Sequence, residues 1–151
     1  MTALAVFGAW TFRDSRLSYL VPLLAMVIGD IGLAIVNSDM AYAFHDTQII
    51  VYACLAATAW MTLKFATQDT MGRRIGSILS GSVLFFVATN FAVWMFSGMY
   101  PQTVAGLAEC YTLAIPFFRT SLLSDIVYGA LMFGAYELAM RSGLSAVPAK
   151  R

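Results

Sequence analysis

Charge is what this sequence has least of. Of its 151 residues, 11% are Asp, Glu, Lys or Arg and 60% are hydrophobic, against about 25% charged in soluble domains. A chain of this length folded in water would still expose about a third of its unfolded surface. The sequence holds too few polar residues to cover that surface, so lipid must take the place of water. Nine Lys plus Arg against eight Asp plus Glu leave a formal charge of +1. That balance provides no basic field for a nucleic acid, and DNA and RNA are excluded as partners.

Histidine and cysteine are nearly absent as well. The single histidine, His45, excludes H-E-x-x-H and any multi-histidine metal or haem site. The two cysteines, Cys54 and Cys110, both fall in apolar runs and form no C-x-x-C and no disulfide framework. There is no G-x-x-x-x-G-K-[ST] for ATP phosphates and no G-x-S-x-G elbow for a nucleophilic serine. The chain reads as a non-enzyme with no cofactor or metal of its own. Any dependence on ATP has to come from a partner.

What is present is a series of apolar runs between regularly spaced polar interruptions. A spanning helix needs about 20 mainly apolar residues to cross a core roughly 30 Å thick. Leu17–Val36, Thr47–Ala66, Ile75–Ser97, Thr103–Phe118 and Ser121–Met140 read as five spans. Thr2–Phe12 is shorter and reaches only about 16 Å, as part of a longer helix or as a half-helix packed on its neighbours. No basic n-region precedes it, which argues against a cleavable signal peptide. The expected fold is all-α: a polytopic transmembrane bundle of six helices over residues 1–141, with a polar tail over residues 142–151. Strands are not expected, because period-two alternation is missing.

Ionisable residues within spans are functional candidates by default. Take as reference the membrane face that carries both termini in a six-helix chain. Asp30 and Glu109 then lie about 9 Å below it, and Asn90 and Cys54 about 10 Å. If the helices turn these residues inward, they line a polar pocket walled by Phe91, Trp94, Tyr100 and Tyr111. The competing reading makes Asp30 and Glu109 hydrogen-bonded packing residues, with Cys54 part of the packing. Asp125 lies about 9 Å below Arg119 on a different helix face and needs a partner from elsewhere. Glu137 with Arg141, and Asp69 with Arg73, have the i, i+4 spacing of surface pairs.

The stretch Thr89, Asn90, Phe91, Trp94, then Tyr100, Pro101, Thr103, Gly106, followed by Cys110, Tyr111, Ile115 to Arg119, Leu122 and Asp125, resembles a family of uncharacterised small bacterial membrane proteins. That family in turn resembles the substrate-binding (S) components of energy-coupling-factor vitamin transporters. The resemblance implies a six-helix bundle in the bacterial inner membrane. Such a bundle captures a vitamin or other micronutrient and docks on a transmembrane coupling protein driven by two ATPases. It also implies that Ala5-x-x-x-Ala9, which has the form of the S-component docking motif, offers a flat face to that partner. S components keep both termini in the cytoplasm. Six spans would instead place Arg13, Arg16, Lys64, Arg73, Arg74 and Arg119 on one side against Arg141, Lys150 and Arg151 on the other, which puts the termini outside.

The functional expectation is a small-solute binding subunit of an uptake transporter. Its candidate ligand residues are Asp30, Asn90, Trp94, Glu109, Tyr111, Arg119 and Asp125, and its candidate docking residues are Ala5 and Ala9. The alternative is a non-catalytic subunit that packs in a larger membrane complex.

Overall fold

Backbone groups that leave water for lipid must find partners within their own segment, and the chain meets that demand with helices. The structure, a computed structural model, describes residues 1–12, 15–38, 47–65 and 70–143. All the regular structure among these residues is helical: α1 (Thr2–Thr11), α2 (Ser15–Asn37), α3 (Gln48–Phe65), α4 (Met71–Phe96) and α5 (Val104–Arg141). Four of them, α2 to α5, are long and apolar enough to cross a membrane, and we read the protein as a membrane protein.

Five helices replace the six expected, and the difference lies at Pro116. Thr103–Phe118 and Ser121–Met140 are not two spans but one helix of 38 residues. The polar group Arg119, Thr120, Ser121 reads in sequence as a turn, yet it contains neither glycine nor proline. Its neighbouring hydroxyls bond back to their own helix: Thr120 Oγ1 donates to the Pro116 carbonyl at 3.3 Å and Ser124 Oγ to the Thr120 carbonyl at 2.9 Å. Pro116 removes one backbone donor but stands on the exposed side of the helix, where its ring has room. Thr58, Thr62, Thr89 and Thr112 bond to the carbonyl four residues back in the same way. Hydroxyls satisfied like this can sit in an apolar medium at little cost.

The ends of the long helices are set by local chemistry. Thr70 caps α4, accepting from the Arg73 amide at 3.4 Å, and Thr103 caps α5, accepting from the Gly106 amide at 3.1 Å. Between α4 and α5 the chain turns through Gly98, whose φ of 69° favours glycine. The turn then lies so close on α5 that a Cβ at Gly106 would stand 2.2 Å from the Pro101 carbonyl oxygen.

The short helix α1 is the centre of the arrangement. It packs against all four others, whereas α2 packs on α1 and α3 only and α5 on α1 and α4 only. The four long helices therefore form an arc in chain order, α2–α3–α4–α5, wrapped around α1. Val6 and Trp10 of α1 join Ile78 of α4 and Phe133 of α5 in a buried apolar cluster, and Phe7 meets Phe133 edge-on at 5.3 Å. Antiparallel pairing of α4 with α5 follows from Asn90 beside Cys110, Ser82 beside Asp125 and Arg74 beside Glu137.

With α5 unbroken, the chain order puts Arg16, Lys64, Arg73, Arg74 and Arg141 near the same ends of the helices. Arg13, Lys150 and Arg151 fall in segments that join or follow those ends and lie outside the described residues, as do His45, Asp46 and Asp69. The connections at the opposite ends, residues 38–47 and 97–103, contain no Lys or Arg.

A Gly106→Ala variant should lose about 1–3 kcal/mol through overpacking against the Pro101 carbonyl. Gly134→Ala, whose added Cβ meets nothing within 4 Å, should keep or slightly raise stability. Thermal unfolding of both purified variants in detergent checks this.

Candidate functional site

Two polar clusters lie inside the helices, each built around a buried aspartate. The first belongs to α1, α4 and α5. Asp125 is 3% exposed. It accepts from the Thr2 hydroxyl, from the Ala3 amide at 3.2 Å, from the Ser82 hydroxyl at 3.0 Å and from the Met1 amino nitrogen at 2.9 Å. The Thr2 and Ser82 hydroxyls also lie 3.1 Å apart. The first amides of a helix have no partner within the helix, and here a carboxylate from another helix meets that of Ala3. Its negative charge sits at the positive end of the α1 dipole. With these donors in place, Asp125 works as an internal cap.

The second cluster joins α2 to α3. Asp30, 7% exposed, accepts from the Gln48 amide and from the Tyr52 hydroxyl at 2.9 Å. Gln48 also donates to Tyr52 at 3.0 Å. Gln48 and Tyr52 stand four residues apart at the start of α3, so both reach the same carboxylate. The Gln48 side-chain oxygen is buried and has no hydrogen-bond partner among the described residues. The site therefore presents a carboxylate and a spare buried acceptor, about 10 Å from the end of α2 at Asn37. Sequence reasoning finds Asp30 but not Gln48 or Tyr52. The available signal is a polar glutamine opening an apolar run with a tyrosine one turn on.

The other expected ligand residues do not join Asp30. Asn90 donates to the Phe86 carbonyl of its own helix at 2.8 Å. Trp94 donates to the Pro101 carbonyl at 3.0 Å, fastening the α4–α5 turn. Tyr111 ties α5 to α4 through the Val87 carbonyl at 2.7 Å and stacks edge-on against Phe86. Glu109 is exposed and makes no hydrogen bond or ion pair among the described residues. Arg119 is exposed on a shallow groove of about 480 Å³ lined by α5 alone. The pocket that would hold Asp30, Asn90 and Glu109 together is thus not formed. Residues at a common depth are spread around the arc, each facing its own neighbour, because depth fixes height and says nothing of azimuth.

Two more expectations change. Ala5 and Ala9 are fully buried, and α1 is enclosed by helices of the same chain, so the A-x-x-x-A face is already occupied. Glu137 pairs with Arg74 of α4 at 2.6 Å rather than with Arg141, and the Arg74 guanidinium lies 4.6 Å from the Phe133 ring centre. Cys54 is buried on α3, and Cys110 is buried on α5 with its thiol 3.5 Å from the Asn90 carbonyl. Among the described residues no His, Cys, Asp and Glu cluster could hold a metal ion.

A family model described as a family of unknown function (DUF6580) matches residues 1–147. The chain belongs to that family. No curated protein and no solved structure matches the chain.

Asp125→Ala should destabilise the protein by about 3 kcal/mol or more, because it strands buried donors from α1 and α4. Asp125→Asn, which keeps one acceptor oxygen, should cost less. The order of the two midpoints in thermal unfolding of the detergent-solubilised protein is the test.

Proposed function

We propose that this protein is a membrane-embedded small-solute binding subunit of an uptake system energised by separate partner proteins, with Asp30, Gln48 and Tyr52 at its ligand site. One observation carries this reading: among the described residues the buried Gln48 oxygen has no donor, and the buried carboxylate beside it receives neutral donors. A site rich in acceptors and short of donors fits a solute that brings an ammonium or hydroxyl group. Ionisable groups retained inside membrane spans commonly mark solute or ion paths.

Orientation supports the same reading. With the flanking Lys and Arg gathered at one set of helix ends, the positive-inside rule places those ends and the C-terminus in the cytoplasm. The Asp30 cluster then lies near the outer surface, where a capture site has to open. The resemblance to S components favours the bacterial inner membrane and the same placement of the C-terminus. Docking on a coupling protein would use an outer helix face in place of the buried Ala5 and Ala9.

A second reading, a non-catalytic subunit of a larger membrane complex, is favoured by Glu109. An exposed carboxylate on an apolar helix is costly in lipid, and a cation from another chain would offset that cost.

Gentle extraction followed by native mass spectrometry separates the two readings. The uptake reading expects a small-molecule adduct whose affinity falls about 10- to 100-fold in Asp30→Asn and in Gln48→Leu, the loss of one charge-assisted or buried hydrogen bond. The complex reading expects a co-purifying chain that is lost in Glu109→Gln, with no adduct at all. Separately, a reporter fused after Arg151 should score as cytoplasmic and one inserted at Gly98 as external; the reverse pattern would remove the orientation argument.

A further inference from the structure

A cleft of about 470 Å³ opens between the end of α3 and the start of α4, lined by Met61, Lys64, Phe65, Arg73, Ser77 and Ser80, with Gly72 and Gly76 completing its wall. A Cβ added at either glycine would meet nothing within 4 Å, so small residues leave the cleft open. Its two cations belong to different helices. Lys64 is exposed, with its ammonium 5.9 Å from the Trp60 ring centre. Arg73 is also exposed, and its guanidinium donates to the Phe65 carbonyl at 3.5 Å. At the floor, Ser77 is 9% exposed and its hydroxyl makes no hydrogen bond among the described residues.

We propose that this cleft binds the phosphate of an anionic phospholipid. Two separated cations and a buried hydroxyl supply the donors that a phosphodiester needs. Three features select a lipid over a soluble anion. The cleft lies at the helix ends where the flanking Lys and Arg collect, the leaflet in which anionic lipids and basic pockets between spans meet. Met61 and Phe65 supply an apolar part of its wall beside Ser80. Phe65 and Trp60 stay 63% and 57% exposed beside it, which gives acyl chains a surface to follow once the headgroup is seated.

The test uses the full chain reconstituted into vesicles of phosphatidylcholine and phosphatidylglycerol in equal amounts, with retained lipids read by native mass spectrometry. Phosphatidylglycerol should be enriched on the protein. Lys64→Ala and Arg73→Ala should each reduce that enrichment about five-fold, while Lys64→Arg and Arg73→Lys restore most of it. Arg141→Ala removes a charge from the same end of the bundle outside the cleft and should leave the enrichment unchanged. Thermal unfolding of each variant establishes that it is folded. Equal retention of the two lipids, enrichment that survives loss of both cations, or displacement by inorganic phosphate would each overturn the proposal, the last by assigning the cleft to a soluble anion.

Discussion

The fold rests on a carboxylate that gathers the amine, hydroxyl and amide donors at a helix end buried among other helices. α1 has 10 residues against 18 to 38 in the helices around it, and its first amides cannot be left bare where water is excluded. Asp125 of α5 and Ser82 of α4 meet that end of α1 from two sides. The bond to Asp125 fixes the height of α1 against α5, and from that height follow the contacts of Val6, Phe7 and Trp10 with Ile78 and Phe133. A carboxylate of this kind is a structural necessity before it is anything else. Asp30 differs: among the described residues it has fewer donors, and the side-chain oxygen of neighbouring Gln48 has none.

Much of the architecture could be read directly from residue order. The apolar runs place α2, α3 and α4 to within a few residues, since lipid demands long uninterrupted stretches and little else in the sequence supplies them. The break expected between Phe118 and Ser121 shows where such reading stops. Polar side chains mark a turn only if they need water, and Thr120 and Ser124 take their hydrogen bonds from their own helix. The candidate site was legible to the same limited degree. Helical rise gives the depth of Asp30, Asn90 and Glu109, but only packing decides which way each one faces. Gln48 was invisible as a partner because glutamine at the head of a span is also the ordinary residue of a membrane surface.

The unbroken α5 also removes a conflict. With six spans, the basic residues divide between the two faces, and the charge rule separates the C-terminus from the basic face. With α5 continuous, Arg141 and the tail join the face that already carries Lys64, Arg73 and Arg74, and the connections at the other face contain no basic residue. One helix boundary thus carries the C-terminus to the basic face, while the charge rule's placement of that face stays the same. Asp30 lies toward the face away from the basic residues, and the Lys64–Arg73 cleft lies at the basic face.

A helix of 38 residues is about 57 Å long, whereas a bilayer with its headgroups measures about 40–45 Å. Held upright, α5 would project beyond the headgroups; to stay within them it must lean by about 40°, at the upper end of tilts found for spanning helices. Through Asp125 that lean is transmitted to α1, and through Tyr111 and Arg74 to α4. The thickness of the surrounding bilayer therefore acts as a mechanical input, setting the angle at which the central helix is held.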